Sequence, residues 1–264
     1  MASVLAKGTT ILNKAAKEPE IVQLCQFLIK MGASIEGVGT TKLIVEGVSS
    51  LNSTNIEVIP DRIEAGTFLI AGALLGKLKL MNVIPSHLDS LISKLKEVGS
   101  NLKTTKNSIT IHPTDQLNAV DMTTDVFPGF ATDLQAQWVA LMATANGSSI
   151  ITDTVYHDRF SHIPELSRLG ADIKVENNTA FIRGKNILVG APVMSTDIRA
   201  SASLIIAALA AKGETQISRV YHIDRGYENI EQKFEGLGGD IRSCLLYTSP
   251  SPRDRTRSRM PSSA

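Results

Sequence analysis

One pattern of apolar and polar positions recurs four times along the chain, with a period of about 70 residues. Each copy predicts a largely apolar helix, a short strand, an amphipathic helix and two further strands. One glycine precedes the first strand of every copy, and another follows the amphipathic helix. The glycines before the strands are Gly8, Gly76, Gly147 and Gly213, and those after the helices are Gly32, Gly99, Gly170 and Gly238. The repetition predicts an α/β fold built from similar units.

The third copy shows the pattern most clearly. Its first helix has apolar residues at helical spacing, and Pro164 lies in the first turn of the second helix, where its missing N–H costs no hydrogen bond. Asn177 and Asn178 separate two segments of alternating polarity and predict a tight hairpin turn. The predicted elements are a helix at 132–145, a strand at 149–152, a helix at 163–169, and hairpin strands at 172–176 and 179–182.

The second and fourth copies follow the same order. The second copy predicts helices at 67–75 and 88–98, and strands at 79–81, 101–104 and 108–111. The fourth copy predicts helices at 200–211 and 227–237, and strands at 216–218 and 240–242. In copies two to four an aspartate starts the first helix, at Asp61, Asp133 and Asp197. Such an aspartate usually caps its helix by accepting hydrogen bonds from free backbone N–H groups.

The two ends of the chain depart from the repeat. In the first copy the position of the helix-starting aspartate would fall before Met1, so residues 1–6 predict only the last turns of a helix. The fourth copy lacks its closing hairpin, and residues 244–264 have no apolar periodicity that could bury a core. We therefore expect an incomplete chain with a non-native or disordered tail. The alternative for the tail is a basic regulatory segment.

Composition excludes several classes of protein. Hydrophobic residues make up 43% of the 264 residues and charged residues 20%, which is ordinary for a globular protein. The net charge is +1, and the tail contributes four arginines against one aspartate, so the remainder has no basic field that would attract nucleic acid. The longest apolar run, residues 200–211, is too short to cross a bilayer.

The cysteines and histidines bear on the cellular compartment and on the binding of a metal or cofactor. Only two cysteines occur and no signal-peptide pattern follows Met1, which predicts a cytoplasmic protein without a membrane partner. Cys25 lies on or beside the apolar stripe of a helix, and we interpret it as a packing residue and not a nucleophile. The five histidines lack metal-ligand spacing and no glycine-rich phosphate loop occurs, so neither a metal nor a cofactor is predicted.

The copies of the repeat differ at the starts of their first helices, where side chains that could bind a substrate occur in the third and fourth copies. Asp133 is followed by Gln135 and Gln137, and an acid with two amides suits recognition of a polyhydroxyl substrate. Asp197 is followed by Arg199 at a helix start, where free N–H groups and partial positive charge favour anions. The alternative for each aspartate is a plain helix cap.

Arginine occupies one position of the repeat in the two later copies only. Arg159 and Arg225 lie at the same distance from the opening glycine, and the first two copies have Glu20 and Leu88 there. A requirement of the scaffold would act on every copy, so we interpret the two arginines as parts of an anion site. The alternative is a surface pair with a neighbouring aspartate, which would contribute little.

Five segments resemble, in the same order, the enolpyruvyl transferase family. They are residues 18–22, 61–67, 132–137, 197–203 and 221–228, within a resemblance that covers residues 1–243. This family folds as an inside-out α/β barrel of six β-α-β-α-β-β units in two domains. The resemblance implies that four units are present, with 1–57 as the last unit of an incomplete first domain, 58–243 as a second domain, and 244–264 as a tail.

The resemblance also implies a reaction. The enolpyruvyl group of phosphoenolpyruvate would pass to the 3-hydroxyl of UDP-N-acetylglucosamine by addition and then elimination of phosphate, without a cofactor. Asp133 matches the general base that takes the hydroxyl proton, and Arg225 is the second catalytic residue. Arg199 and Arg225 match the arginines that grip phosphoenolpyruvate. The matched substrate-binding positions are Asp133, Val155, Arg159, Asp197, Arg199 and Arg225.

The chain departs from the family pattern at some positions, and two alternative functions stay open. Ala131 stands where the family usually has proline. Neither Cys25 nor Cys244 matches the family's catalytic cysteine, which with a lysine–asparagine pair would lie before Met1, so we expect only part of the site. The alternatives are transfer to 3-phosphoshikimate by a sister enzyme of the same fold, and non-catalytic binding of a sugar nucleotide.

Overall fold

The computed structural model describes residues 1–114, 116–184 and 187–242. The chain divides into two compact units, Met1–Tyr227 and Glu228–Ala264. The helices are α1 (Pro19–Lys30), α2 (Arg62–Leu75), α3 (Asp89–Val98), α4 (Gln135–Thr144), α5 (Ile163–Arg168), α6 (Ile198–Ala210) and α7 (Ile230–Gly236). The strands are β1 (Thr9–Asn13), β2 (Ser34–Glu36), β3 (Lys42–Glu46), β4 (Leu78–Met81), β5 (Asn101–Thr104), β6 (Ser108–His112), β7 (Met122–Thr123), β8 (Ser148–Thr152), β9 (Asp172–Glu176), β10 (Thr179–Arg183), β11 (Pro192–Met194) and β12 (Gln216–Ser218).

The repeat predicted from the sequence is confirmed in the order of these elements. The third copy forms a whole β-α-β-α-β-β unit, which runs from β7 through α4, β8, α5 and β9 to β10. In the part of the chain that the structure describes, the strands form four separate sheets and no closed barrel, in the orders β1-β3-β2, β4-β6-β5, β7-β8-β10-β9 and β11-β12. Pairing is antiparallel except between β7 and β8 and between β11 and β12.

The first helices of copies two, three and four form the centre of the Met1–Tyr227 unit. Helices α2, α4 and α6 contact one another, and every residue from Gln135 to Ala143 of α4 is buried. A helix that is apolar all round belongs in a core and not on a surface. The three apolar helical runs of the sequence are therefore the three central helices of the fold.

The sheets β4-β6-β5 and β7-β8-β10-β9 pack against these helices, through contacts of α2 with β4 and β6 and of α4 with β8 and β10. In β10, Ala180 and Ile182 are at most 2% exposed, whereas Phe181 between them is 40% exposed. Successive strand residues point to opposite faces of a sheet, so one face packs inward and the other meets solvent. Strands β8 and β10 contact α4 on the inward side. The predicted α/β fold class is thus confirmed.

Two predictions for the fourth copy are wrong. Helix α7 begins at Ile230 and not at residue 227, because residues 220–225 form a 3-10 helix and Asn229 has a left-handed backbone with φ of 48°. Residues 240–242 form no strand. A strand needs a partner for its backbone groups, and no returning strand pairs with this segment among the described residues. The predicted tail, 244–264, lies outside the described residues.

The other boundaries agree within a few residues, and β5, β9 and β12 have the predicted bounds. The segment 47–61 between β3 and α2 contains no helix or strand. A domain boundary at residues 57 and 58 stays a prediction.

Gly47 and Gly184 occupy equivalent places in copies one and three. The N–H of each donates to the carbonyl of the glycine that opens its copy, at 3.0 Å to Gly8 and 2.8 Å to Gly147. A Cβ on Gly184 would lie 2.1 Å from the carbonyl oxygen of Ala145, which is backbone and cannot easily move aside. Only glycine permits this close approach.

We expect Gly184→Ala to lower the free energy of unfolding by about 1–3 kcal/mol, because the added methyl group forces the backbone apart. Urea denaturation of the purified chain measures this change. Gly76→Ala is the matched control, since a Cβ there meets no atom within 4 Å. Equal losses in the two variants would contradict the explanation by close approach.

Candidate functional site

An aspartate bound to two arginines lies where the first helices of two copies begin. Asp133 is in the 3-10 turn Thr132–Leu134 that leads into α4. Its Oδ1 lies 2.6 Å from Nη1 of Arg159, and its Oδ2 lies 2.9 Å from Nη2 of Arg199. Arg159 precedes α5 and Arg199 lies in the first turn of α6. The fold thus brings together three of the residues chosen from the sequence, from two different copies.

The charges of this cluster determine whether the Asp133 carboxyl group is protonated. Burial would raise the pKa of Asp133, but the nearby guanidinium charges of Arg199 and Arg159 outweigh burial and hold that pKa below its usual value. Asp133 is therefore a carboxylate at neutral pH. Two guanidinium groups against one carboxylate leave net positive charge, so the cluster can accept a further anion.

A buried carboxylate, Asp153, fixes the segments around the cluster. Its side chain accepts hydrogen bonds from the Thr124 hydroxyl at 2.7 Å and the Thr132 hydroxyl at 2.6 Å. It also accepts from the backbone N–H groups of Val155 at 3.0 Å and Tyr156 at 2.8 Å. Asp153 has no exposed surface, and these bonds satisfy a charge that would otherwise be costly to bury.

Sequence reasoning did not find Asp153, because a single aspartate after a strand has no distinguishing pattern. Its partner Thr132 accepts a hydrogen bond from Nη1 of Arg159 at 3.1 Å. Asp153 therefore acts on Arg159 through Thr132. The predicted sugar-nucleotide residue Val155 has its backbone N–H bound by Asp153, and the residue is 43% exposed.

The three aspartates that start helices do not share one role. Asp61 caps α2 by accepting from the N–H groups of Ile63 and Glu64, which confirms the capping alternative there. Asp197 caps α6 in the same way and also accepts from the Ser161 hydroxyl at 3.2 Å. Asp133 is not an N-cap: it lies inside the 3-10 turn Thr132–Leu134, and its described bonds go to Arg159 and Arg199. Its carboxylate is therefore available to the arginines.

The described contacts of this cluster do not include Arg225. Arg225 ends the 3-10 helix Val220–Arg225 and is exposed. Within the residues that the structure describes, no hydrogen bond or ion pair of its guanidinium is recorded. Arg159 and Arg225 share a position in the repeat, yet only Arg159 binds Asp133. A catalytic role for Arg225 stays a prediction.

A second ion pair stands close to the cluster and was not recognised in the sequence. Nε and Nη2 of Arg62 donate to the Glu20 carboxylate at 3.2 and 2.9 Å. The Arg62 guanidinium also lies 5.6 Å from the centre of the Phe127 ring. Burial raises the pKa of Glu20, the bonds from Arg62 lower it to below its usual value, and the charge of Asp133 acts on it as well. Arg62 belongs to one of the five family-like segments, which was the available signal.

His162 is a buried neutral group beside these charges. It is 1% exposed, and burial lowers its pKa to about 4. The charge of Asp197 acts against this lowering and that of Arg159 adds to it. The imidazole is therefore uncharged in the folded protein at neutral pH.

We expect the free energy of unfolding to fall by about 1.4 kcal/mol per pH unit, on account of His162, as the pH drops from about 6.5 to about 4. In this range the unfolded chain binds the proton and the folded chain does not, so acid favours unfolding. Urea denaturation at several pH values measures the slope. His162→Gln should remove this part of the slope and His157→Gln, at an exposed position, should not; identical slopes in all three proteins would contradict the assignment.

Two further findings concern the described residues. No group of three or more His, Cys, Asp or Glu side chains among residues 1–114, 116–184 and 187–242 could hold a metal ion. None of the helices that the structure describes has the length and apolar character needed to span a membrane.

The chain matches one family model and is similar to curated proteins that share a single name. The family model described as EPSP synthase (3-phosphoshikimate 1-carboxyvinyltransferase) matches residues 1–234. UDP-N-acetylglucosamine 1-carboxyvinyltransferase of Chlorobium chlorochromatii is 54% identical over 242 residues, which are 91% of this chain and 57% of that protein. The protein of the same name from Myxococcus xanthus is 49% identical over 243 residues, which are 92% of this chain and 58% of that protein. The chain therefore spans little more than half the length of these curated relatives.

Solved structures give the same fold. The enolpyruvyl transferase NikO from Streptomyces tendae aligns with a TM-score of 0.82 at 30% identity, over 91% of this chain and 58% of NikO. EPSP synthase from Acinetobacter baumannii aligns with a TM-score of 0.71 at 23% identity, over 90% of this chain and 58% of that enzyme. The second likeness concerns the fold alone.

Proposed function

The chain belongs to the family whose model is described as EPSP synthase (3-phosphoshikimate 1-carboxyvinyltransferase), and from its relatives we propose that it supplies part of the active site of an enzyme that transfers an enolpyruvyl group to UDP-N-acetylglucosamine. The donor is phosphoenolpyruvate, the acceptor atom is the sugar 3-hydroxyl, and phosphate is released. The reaction is the first committed step of peptidoglycan synthesis, in the cytoplasm, and so serves cell shape and division. The observation that carries the proposal is the Asp133 carboxylate bound by Arg159 and Arg199.

The cluster provides the two functions that such a transfer needs. A carboxylate can take the proton of the sugar hydroxyl as that oxygen bonds to the central carbon of phosphoenolpyruvate and the methylene carbon takes up a proton; loss of a proton from the resulting methyl group, together with phosphate, then restores the double bond. Guanidinium groups in fixed positions can bind the carboxylate and phosphate of the donor, and can stabilise charge on the tetrahedral intermediate before phosphate leaves.

The ion pairs imply an exchange of partners when the donor binds. In the free protein the arginines bind Asp133 at 2.6 and 2.9 Å. An incoming phosphoenolpyruvate anion competes with Asp133 for the same guanidinium groups. As they turn to the ligand, Asp133 loses the charges that lower its pKa and becomes a stronger proton acceptor. Donor binding thus prepares the base.

A second candidate acceptor is 3-phosphoshikimate, which the description of the family model names. The relatives at 54% and 49% identity both bear the UDP-N-acetylglucosamine name, whereas the EPSP synthase structure is only 23% identical. These identities favour the sugar nucleotide. A non-catalytic binding protein is the third candidate.

Calorimetric titration of the 264-residue chain tests the proposal first. We expect saturable binding of UDP-N-acetylglucosamine and of phosphoenolpyruvate, and none of 3-phosphoshikimate. Saturable binding of 3-phosphoshikimate alone would reverse the assignment of the acceptor.

Turnover requires more of the enzyme than this chain. The chain spans 57% of the Chlorobium chlorochromatii relative, so we would co-express it with the segment of that relative that it does not match. Phosphate release from the reconstituted protein, dependent on both substrates, is the expected result. Tight binding without release in this reconstituted protein would favour the non-catalytic candidate.

A further inference from the structure

Three buried polar side chains meet beneath Arg199, each from a different copy of the repeat. The hydroxyl oxygens of Thr67 in α2 and Tyr227 lie 2.8 Å apart. Nε2 of Gln137 in α4 lies 3.0 Å from the Thr67 oxygen and 3.2 Å from the Tyr227 oxygen. Thr67 and Gln137 have no exposed surface, and Tyr227 is 2% exposed. The centre of the Tyr227 ring lies 5.9 Å from Cζ of Arg199.

The hydrogen bonds of this cluster have a defined direction. The Thr67 hydroxyl donates to the backbone carbonyl of Ile63 at 2.9 Å, so its oxygen accepts from the neighbouring groups. Tyr227 must then donate its own proton to Thr67, and its oxygen is left as an acceptor. That oxygen accepts from Gln137 and interacts with the guanidinium of Arg199.

Burying such a polar cluster among three apolar helices costs free energy. Each polar group loses water on burial, and only well-placed hydrogen bonds offset that loss. A phenylalanine at 227 with apolar partners would fill the same space without this cost. The polar arrangement therefore indicates a task beyond packing, and Arg199 is the charged group in contact with it.

We propose that Tyr227, anchored by Thr67 and Gln137, is a positioning residue that fixes the Arg199 guanidinium against Asp133. The anchor ties the second and third copies of the repeat to the segment that carries Tyr227. The ring supports the guanidinium from one side, and the phenol oxygen offers it an acceptor. Nη2 of Arg199 is thereby held 2.9 Å from Oδ2 of Asp133. The significance for catalysis rests on the proposed function, whereas the geometry does not.

Tyr227→Phe tests this role because it keeps the ring and removes only the hydroxyl. Thr67→Val removes the anchor while keeping the shape of the side chain. A ¹³C NMR titration of the Asp133 carboxyl group measures how strongly Arg199 acts on it, without any ligand. We expect both variants to raise the pKa of Asp133 towards its ordinary value.

Ser203→Ala is the matched control. Ser203 is a fully buried hydroxyl of α6 that donates to the carbonyl of Ala200 in its own helix, at 2.8 Å. Its substitution should not alter the pKa of Asp133. A lower melting temperature with an unchanged Asp133 pKa in Tyr227→Phe and Thr67→Val would show a merely structural role and overturn the proposal.

The outcomes separate this proposal from the proposed function. If Tyr227→Phe does not fold, Thr67→Val decides by the same titration. If the wild-type chain binds neither substrate, the proposed function fails, and the pKa of Asp133 in the variants still decides whether Tyr227 positions Arg199.

Discussion

Asp133→Asn should bind phosphoenolpyruvate about tenfold more tightly than the wild-type chain, although it loses the proposed base. The reason is competition. In the free protein the Asp133 carboxylate occupies Nη1 of Arg159 and Nη2 of Arg199, the groups that a donor anion would need. A neutral amide competes less well for two guanidinium groups, and net positive charge in the cluster increases. Isothermal titration calorimetry on the purified chain measures the affinity.

The same substitution should nearly abolish transfer. In the reconstituted protein we expect kcat to fall by about 10²–10⁴-fold, because an amide cannot accept the hydroxyl proton. Tighter donor binding together with slower transfer is a combination that simple damage to the fold would not produce. Asp158→Asn is the matched control, since Asp158 is exposed and adjacent in sequence to Arg159. An unchanged or weaker affinity in Asp133→Asn would refute competition between the carboxylate and the donor.

Arg199→Lys should weaken phosphoenolpyruvate binding by about 10–100-fold, although the charge is retained. The guanidinium of Arg199 reaches Asp133 at 2.9 Å while its Cζ lies 5.9 Å from the centre of the Tyr227 ring. A lysine ammonium has no planar fork and cannot make two parallel bonds to a carboxylate or phosphate. The affinity is again measured by calorimetry on the chain.

The control for this substitution is Arg168→Lys, on the exposed side of α5. It should leave the affinity as it is in the wild type. The pKa of Asp133 provides an independent check, because loss of the well-placed guanidinium should raise that pKa in Arg199→Lys. Equal affinities of Arg199→Lys and wild type for phosphoenolpyruvate would show that Arg199 does not bind this donor.

The sequence by itself determined the scaffold. The recurring glycines, the apolar runs and the alternating segments set the order of helices and strands, because these patterns reflect local backbone preference and the burial of one face. The caps at Asp61 and Asp197 were predictable for the same reason, since their partners lie within three residues. The end of the fourth copy was mispredicted because a strand depends on a partner elsewhere in the chain.

Only the tertiary structure decided which of these aspartates binds two arginines. Asp133 and Arg199 are 66 residues apart in sequence, and the Thr67 and Tyr227 hydroxyls are 160 apart. Asp133 lies in the 3-10 turn before α4, where the packing of α4 against α6 brings Arg199 to it and Arg159 reaches it from the segment before α5. Distant side chains leave no local pattern in a single sequence, so the partners of Asp153 and Tyr227 could not be predicted from it. Local chemistry specified the repeated unit, and the packing of its copies made the site.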